Sequence, residues 1–210
     1  MKKFFVIGLL SLFGMLNAAE TAPNLNEFGA LELDGTSWLV TFVNMKWTSF
    51  AYEGHWRDPV FQRKGEQDSG SAVFRVAIPN YPEGKLKVSL KPEESGFSYQ
   101  AEVSFSESAK FASLSLETRL PVSRYAGTSL KINGKPFELP LEVSKTIHRK
   151  RASVLEIPGK DGKAITFRGD FELHIQDNRQ YKLQNYTIRI RLNPGFGEIT
   201  NASLDLKINL

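Results

Sequence analysis

Cysteine is absent from the 210 residues of this chain. Without a thiol, the chain has no disulfide scaffold, no thiolate-ligated zinc or iron–sulfur site and no cysteine nucleophile. Hydrophobic residues nevertheless make up 41% of the sequence and charged residues 24%. This composition is too hydrophobic for wholesale disorder and is typical of a chain that buries a core.

Familiar catalytic motifs are absent as well. The sequence contains no G-x-S-x-G nucleophile elbow, H-E-x-x-H zinc motif, P-loop or EF-hand loop. We predict that His174 is an ordinary surface histidine beside Glu172, and that His148 lies in a solvated basic loop. His55 and Asp58 offer a metal two ligands, whereas zinc takes at least three from a protein. We therefore predict no catalytic residue, no metal site and no cofactor, and an enzymatic role is not favoured.

The amino terminus is typical of a secretory signal peptide. Lys2 and Lys3 precede an apolar run over 4–16, and small residues follow at 17–19. The run is too short for a good membrane span. We expect residues 1–18 to be cleaved, residues 19–27 to form a flexible leader, and residues 28–210 to form one domain that is periplasmic or extracellular. Removing the two lysines lowers the formal charge from +4 to +2, so no nucleic-acid partner is expected.

Alternation with a period of two dominates the remaining sequence. Successive side chains of a strand point to opposite faces, so each alternating segment has one apolar and one wet face. The sequence therefore predicts an all-β fold, an antiparallel β-sandwich of jelly-roll or supersandwich type, with little or no helix outside the signal peptide. The clearest alternating segments are 85–90, 97–105, 113–117, 171–176, 186–192 and 204–210.

Turn residues agree with this fold. Asn133-Gly134 indicates a tight hairpin, because both residue types tolerate positive φ. Pro136 follows at once and places the next strand at a sheet edge, since proline cannot donate a hydrogen bond to a neighbouring strand. A second hairpin is expected over 158–163. We interpret Val143–Ser153 as a polar, basic connection within the domain.

Candidate binding residues come first from the aromatic segment 38–61, which holds all three tryptophans. Alternation places Trp38 in the core. For Trp47 and Trp56 two interpretations stay open, a core position or a partly exposed ring that contacts a sugar. Tyr52 and His55 lie between them and join the candidate ligand-binding set.

Arg189 and Arg191 are a second candidate pair. They share one side of a predicted strand, and His174 would join them if the two strands pair. Two guanidinium groups suit an anionic ligand through bidentate hydrogen bonds. The alternative is cross-strand pairing with Glu172 or Asp205.

Two stretches, 118–140 and 167–192, resemble the N-terminal β-sandwich modules of secreted bacterial glycoside hydrolases and related polysaccharide-degrading enzymes. The similar elements are the L-P-V-S-x-x-A-G turn over 120–127, the Asn133-Gly134-Lys135 hairpin, and the F-x-L-x-I-Q-D-N-R strand ending over 171–179. These are structural motifs, so the resemblance implies a module that accompanies catalysis and carries over no ligand residue. In that family a catalytic domain follows, whereas here the sequence ends at Leu210.

Three functions stay open from the sequence. The first is an exported non-catalytic β-sandwich that binds a polysaccharide or supports a carbohydrate-active enzyme as its partner. The second is a small outer-membrane β-barrel, because the alternation of apolar and polar residues runs to Leu210. An association with a membrane is expected only under this alternative. The third is a secreted carbohydrate-active enzyme with a carboxylate or Tyr/Arg site that carries no sequence signature.

Overall fold

The computed structural model describes residues 22–26, 28–47, 50–51, 61–63, 70–78, 80–160, 162–193 and 197–210, and antiparallel strands make up most of them. Among these residues the helices are two single turns, α1 (Val122–Tyr125) and a 3₁₀ turn (Asn178–Tyr181). No helix in the described ranges is long and apolar enough to cross a membrane. The strands are β1 (Asn24–Leu25), β2 (Leu31–Leu33), β3 (Thr36–Val43), β4 (Phe50–Ala51), β5 (Phe61–Arg63), β6 (Ser71–Val76), β7 (Gly84–Glu93), β8 (Gly96–Lys110), β9 (Ser113–Pro121), β10 (Ser129–Ile132), β11 (Lys135–Glu138), β12 (His148–Pro158), β13 (Ala164–Asp177), β14 (Asn185–Arg191) and β15 (Glu198–Asn209).

The strands form one continuous sheet in the order β1-β2-β3-β9-β14-β13-β15-β8-β7-β6-β5. The long strand β13 joins its two halves, because its carboxyl end pairs with β14 and its amino end pairs with β15. The sheet folds over on itself, so β2, β3, β9 and β14 form a first layer and β15, β8, β7 and β6 a second. This architecture confirms the predicted all-β, sandwich-like fold.

Aromatic rings fill the space between the two layers. The ring of Trp38 on β3 lies 4.5 Å from that of Phe167 on β13, and both are buried. Phe42, on the same side of β3, contacts Phe105 and Phe111 at centroid distances of 6.3 and 5.6 Å. Such tilted and edge-to-face pairs add to the free energy gained by burying the rings. The prediction that Trp38 belongs to the core is confirmed.

Both predicted hairpins are present. Asn133 and Gly134 have φ of 52° and 76° and connect β10 to β11. Within the described chain β11 pairs with β10 alone, so Pro136 lies in an edge strand as expected. The segment after Pro158 connects β12 to β13. In the stretch 19–27, where we expect a leader, Asn24 and Leu25 form β1 and pair with β2.

The expectation of a basic connection over Val143–Ser153 is wrong for its second half. Strand β12 begins at His148, and the residues from His148 to Ala152 pair with β13. Only the far end of β12, at Leu155 and Glu156, also pairs with β10. The first half of β12 is therefore an edge strand. Because an edge strand does not need alternating apolar side chains, its polar sequence resembles that of a loop.

Candidate functional site

Polar side chains line the side of the first layer that faces away from the aromatic core. The sequence predicts a wet surface there, and this prediction is wrong, because these side chains are almost completely buried. They satisfy one another through hydrogen bonds, which makes burial of so many polar groups tolerable. We call this surface the polar face, and its buried members are Thr41, Ser113, Ser115, Glu117, His174, Gln176, Thr187, Arg189 and Arg191.

Strand register brings distant parts of the chain together on the polar face. Glu117, Arg189, His174 and Arg149 lie side by side across β9, β14, β13 and β12. Residues directly opposite each other in an antiparallel pair share a face of the sheet, so these four form one row. The expectation that His174 joins the two arginines is confirmed. The neighbouring row contains Ser115, Arg191, Glu172 and Arg151.

Arg189 is held by two acceptors on neighbouring strands. Its Nε donates to Oε2 of Glu117 at 2.8 Å, and its Nη1 donates to Oε1 of Gln176 at 3.1 Å. Thr41 Oγ1 also donates to Oε2 of Glu117, at 3.4 Å. The arginine and glutamate side chains are 6% and 5% exposed, so this is a buried ion pair with fixed geometry.

Arg191 is held in the next row. Its Nη1 donates to Oε1 of Glu172 at 3.4 Å, and its Nη2 donates to the carbonyl oxygen of Ala112 at 3.1 Å. The predicted cross-strand pairing with Glu172 is thus confirmed for Arg191, whereas Arg189 forms its ion pair with Glu117. Burial lowers the pKa of Arg191; Glu172 opposes this shift, and the charges of Arg149 and Arg189 add to it.

His174 is not the surface histidine that the sequence predicts. It is 1% exposed, and its Nε2 forms a hydrogen bond with the Glu172 carboxylate. Burial lowers the pKa of His174 to about 4, because it outweighs the hydrogen bond to the Glu172 carboxylate, which raises the pKa. The imidazole is therefore neutral at pH 7. Alternation alone could not show this, since it assigns a side chain to a face and does not say whether that face is covered.

Acid will destabilise the protein through His174. The unfolded histidine titrates near its ordinary pKa of 6.5 and the folded one near 4, so the unfolded state binds the proton first as the pH falls. Stability is therefore complete above about pH 6.5 and declines toward about pH 4, by about 2 kcal/mol between about pH 7 and about pH 4.5. Urea unfolding at both pH values measures the decline in the wild type and in His174→Gln.

The His174→Gln variant is the control, because carboxylates titrate over the same range in both proteins. The variant should lose about 2 kcal/mol less than the wild type over this interval. In the wild type, the proton resonances of the His174 ring should titrate near pH 4. Equal losses in the two proteins would contradict the prediction.

Of the six candidate ligand residues, the structure describes three, and they lie close together. Arg189 and Arg191 occupy neighbouring rows, and the guanidinium carbon of Arg189 lies 5.6 Å from the centre of the Trp47 ring. Trp47 is half-buried and has a positive φ of 58°. Tyr52, His55 and Trp56 lie outside the described residues.

His148 also differs from its prediction. It begins β12, and its ring lies 4.4 Å from that of Phe137. Its Nε2 is buried and has no hydrogen-bond partner among the described residues. Burial lowers the pKa of His148, and the charge of Lys150 adds to this shift. This histidine is therefore part of the packing between two strands.

Two clefts border the polar face. The larger has a volume of about 460 Å³ and is lined by side chains of β12, β13 and β14, among them Arg149, Arg151, Glu172 and Arg191. The smaller, of about 320 Å³, lies at the other side of the face. This smaller cleft is lined by Thr41, Glu117, Arg119, Arg124 and Tyr125 among others. Within the described ranges, no three His, Asp or Glu side chains lie together in a group that could bind a metal ion.

Sequence reasoning did not predict Glu117 as a member of this site, and it left Arg149 and Arg151 in the basic connection over Val143–Ser153. Glu117 carries one signal: it continues the alternation of Ser113 and Ser115 with leucines, which places it on the same face of β9 as these two residues. The positions of Arg149 and Arg151 at the cleft depend on the pairing of β12 with β13, which local sequence does not give.

No protein-family model and no curated protein matches this chain. Among solved structures, the 4-alpha-glucanotransferase from Thermococcus litoralis aligns with 87% of this chain at 10% identity and a TM-score of 0.45. The chain spans 28% of that enzyme. A galactose mutarotase-like protein from Lactobacillus casei ATCC 334 aligns with 86% of this chain and 92% of its own length, at 12% identity and a TM-score of 0.47. Both neighbours are carbohydrate-related by name.

Proposed function

We propose that this protein is an exported, non-catalytic carbohydrate-binding β-sandwich whose ligand contacts the exposed part of the Trp47 ring, beside the buried polar face. One observation carries the proposal: a partly exposed tryptophan lies against a buried arginine whose position is fixed. An indole ring offers a flat face to the C–H groups of a sugar, and the fixed guanidinium of Arg189 holds this ring in place.

The contact between Trp47 and Arg189 favours a preformed platform. The guanidinium is held by Glu117 and Gln176, so it cannot follow the ring if the ring moves. A cation against an aromatic face is attracted by about 1 kcal/mol or more when it is shielded from water. A ring that is already oriented loses little conformational freedom when a sugar binds, and this favours affinity.

Binding fits the site better than catalysis does. The two groups best suited to move a proton are Glu172 and His174, and they are hydrogen-bonded to each other. His174 is buried, so it has no direct access to a sugar. We accordingly expect no release of reducing ends when the purified protein is incubated with the polysaccharide that it binds. Appearance of such ends, lost in Glu172→Gln, would replace this proposal with an enzymatic one.

Affinity electrophoresis tests whether the Trp47 ring, held against Arg189, is a platform that binds sugar. The purified protein should be retarded in native gels that contain its polysaccharide, and Trp47→Asn should weaken this binding about tenfold, which corresponds to about 1.4 kcal/mol. Asparagine is the suitable replacement because it tolerates the positive φ at this position. Trp47→Phe, which keeps an aromatic face, should retain most of the retardation.

Circular dichroism and thermal unfolding of each variant establish that the fold is intact. Unchanged retardation of a folded Trp47→Asn protein would overturn the assignment of this residue. Export is tested separately, by sequencing the amino terminus of the protein recovered from outside the cytoplasm. The proposed cleavage predicts that this terminus begins at residue 19 or 20.

A further inference from the structure

The larger cleft beside the polar face has more positive than negative side chains in its lining. Its lining includes four cationic residues, Arg149, Lys150, Arg151 and Arg191, and two carboxylates, those of Asp170 and Glu172. We call this cleft the basic cleft. Its cations come from β12 and β14 and its carboxylates from β13, so strand pairing brings them together.

The floor of the basic cleft is rigid and its rim is adjustable. Arg191 is 1% exposed, and the Ala112 carbonyl and Glu172 hold its guanidinium in place. At the rim, Arg151 pairs with Asp170, and both side chains are largely exposed. An exposed ion pair contributes little to stability because water screens it. An anionic ligand can therefore replace the Asp170 carboxylate as the partner of Arg151 with little loss of free energy.

Positive groups also crowd one another at the floor. Arg149 lies opposite His174 in the row next to Arg191, and burial together with the charges of Arg149 and Arg189 lowers the pKa of Arg191 against the opposing effect of Glu172. An anion bound in the cleft would reduce this repulsion. Guanidinium groups suit oxyanions in particular, because their planar N–H donors form two parallel hydrogen bonds.

We propose that the basic cleft binds an anionic substituent, a carboxylate or a sulfate group, of the polysaccharide that contacts Trp47. This inference deepens the proposed function and rests on it. Arg189 and Arg191 are two residues apart on one strand, which separates their positions on the polar face by about 7 Å. The aromatic platform and the basic cleft are therefore close enough to hold neighbouring parts of one glycan chain.

Dextran, carboxymethyl-dextran and dextran sulfate provide the matched probes, because they share one backbone and differ in charge. We expect retardation to be stronger in at least one of the two charged gels than in dextran, and the better of the two identifies the preferred group. Polygalacturonate and alginate gels test the same preference with natural uronates. Arg149→Gln should weaken binding of the preferred anionic polymer about tenfold and leave any binding of dextran unchanged.

Arg75→Gln is the control variant, because it removes one exposed arginine from β6, three strands away from β15 in the second layer. We expect it to change the affinity by less than about twofold, since solvent screens distant exposed charges. Equal weakening by Arg75→Gln and Arg149→Gln would overturn the proposal, because attraction would then be a property of the whole surface. Equal retardation in neutral and charged gels, or no retardation in any anionic gel, would overturn it as well.

The two proposals fail in different ways. If Trp47→Asn binds as the wild type does while Arg149→Gln loses the anionic polymer, the platform is wrong and the basic cleft stands. If Trp47→Asn loses binding while Arg149→Gln keeps full affinity for every charged polymer, the platform stands and the cleft is wrong. The thermal unfolding of Arg149→Gln should match that of the wild type, because this side chain is exposed.

Discussion

Replacing Arg189 with alanine should lower the free energy of unfolding by about 3–5 kcal/mol. The substitution leaves the carboxylate of Glu117 buried, 5% exposed, without the guanidinium that donates to it at 2.8 Å. Glu117 keeps a longer ion pair with Arg119, at 3.6 Å, and the hydrogen bond from Thr41. Its closest cation is lost, so part of its desolvation cost is no longer offset. Gln176 loses a donor in the same step. Urea unfolding followed by circular dichroism measures the change.

The double variant Glu117→Leu/Arg189→Met separates the effect of a lone charge from that of lost packing. Two apolar side chains of similar size remove this buried ion pair as a whole, and the lost donor to Gln176 is the remaining cost. The double variant should therefore be clearly more stable than Arg189→Ala. A loss of less than about 1 kcal/mol in Arg189→Ala would contradict the prediction. It would mean that water reaches Glu117 and that the polar face is more open than its burial indicates.

Arg179→Ala should cost about 2–4 kcal/mol of unfolding free energy. Arg179 lies in the 3₁₀ turn after β13 and connects that turn to the segment that follows β11. Its guanidinium donates to the carbonyl oxygens of Pro140, Leu141 and Glu142 at 2.7, 2.6 and 2.9 Å. It also donates to the carboxylate of Asp177, which is 2% exposed. Removing it takes away several charged hydrogen bonds and leaves Asp177 without its cation.

The pKa of Asp177 reports on the same contacts. Burial raises this pKa, and hydrogen bonds from the Arg179 side chain and the amides of Ser144 and Arg179 outweigh burial, so the pKa lies below its ordinary value. In Arg179→Ala it should rise, because the side-chain donors and the positive charge are lost while the two amides remain, and NMR titration of the carboxyl measures the rise.

Arg151→Ala is the matched control, because Arg151 also forms a bidentate ion pair with an aspartate, Asp170. Both side chains of that pair are largely exposed, so the urea midpoint should stay nearly unchanged. If Arg151→Ala and Arg179→Ala were equally destabilised, burial would not be the reason for the importance of Arg179. Retained stability in Arg179→Ala would show that the carbonyls of 140–142 are satisfied by water.

The wrong predictions about the polar face share one physical cause. His174, Arg189 and Arg191 occupy the polar positions of alternating strands, and in an isolated sheet those positions face water. In the folded chain the same positions are covered, and the side chains form ion pairs and hydrogen bonds with partners that are distant in sequence, such as Glu117. Periodicity assigns each residue to a face correctly; it contains no information on what lies over that face.

Local rules, by contrast, predicted local structure well. Asn133-Gly134 forms the expected hairpin because its backbone conformation depends on those two residues. Pro136 lies in the expected edge strand because it lacks an amide donor. Trp38 is buried because it shares a face with the apolar residues Val40 and Phe42.

The sequence by itself determined the all-β class, the main turns and core positions such as Trp38, and it offered Glu172 as one of two possible partners for the arginines. These follow from side-chain polarity, from backbone preferences at single residues, and from strands that adjoin in sequence. Only the tertiary structure decided that the polar face is buried, that Glu117 and Arg189 form its central ion pair, and that Arg149 and Arg151 reach the basic cleft. Those features depend on strand pairings between distant segments, such as those that bring Arg189 to Glu117 over 72 residues and Thr41 to Glu117 over 76. The free energy of such pairings belongs to the assembled sheet and to no single segment of the chain.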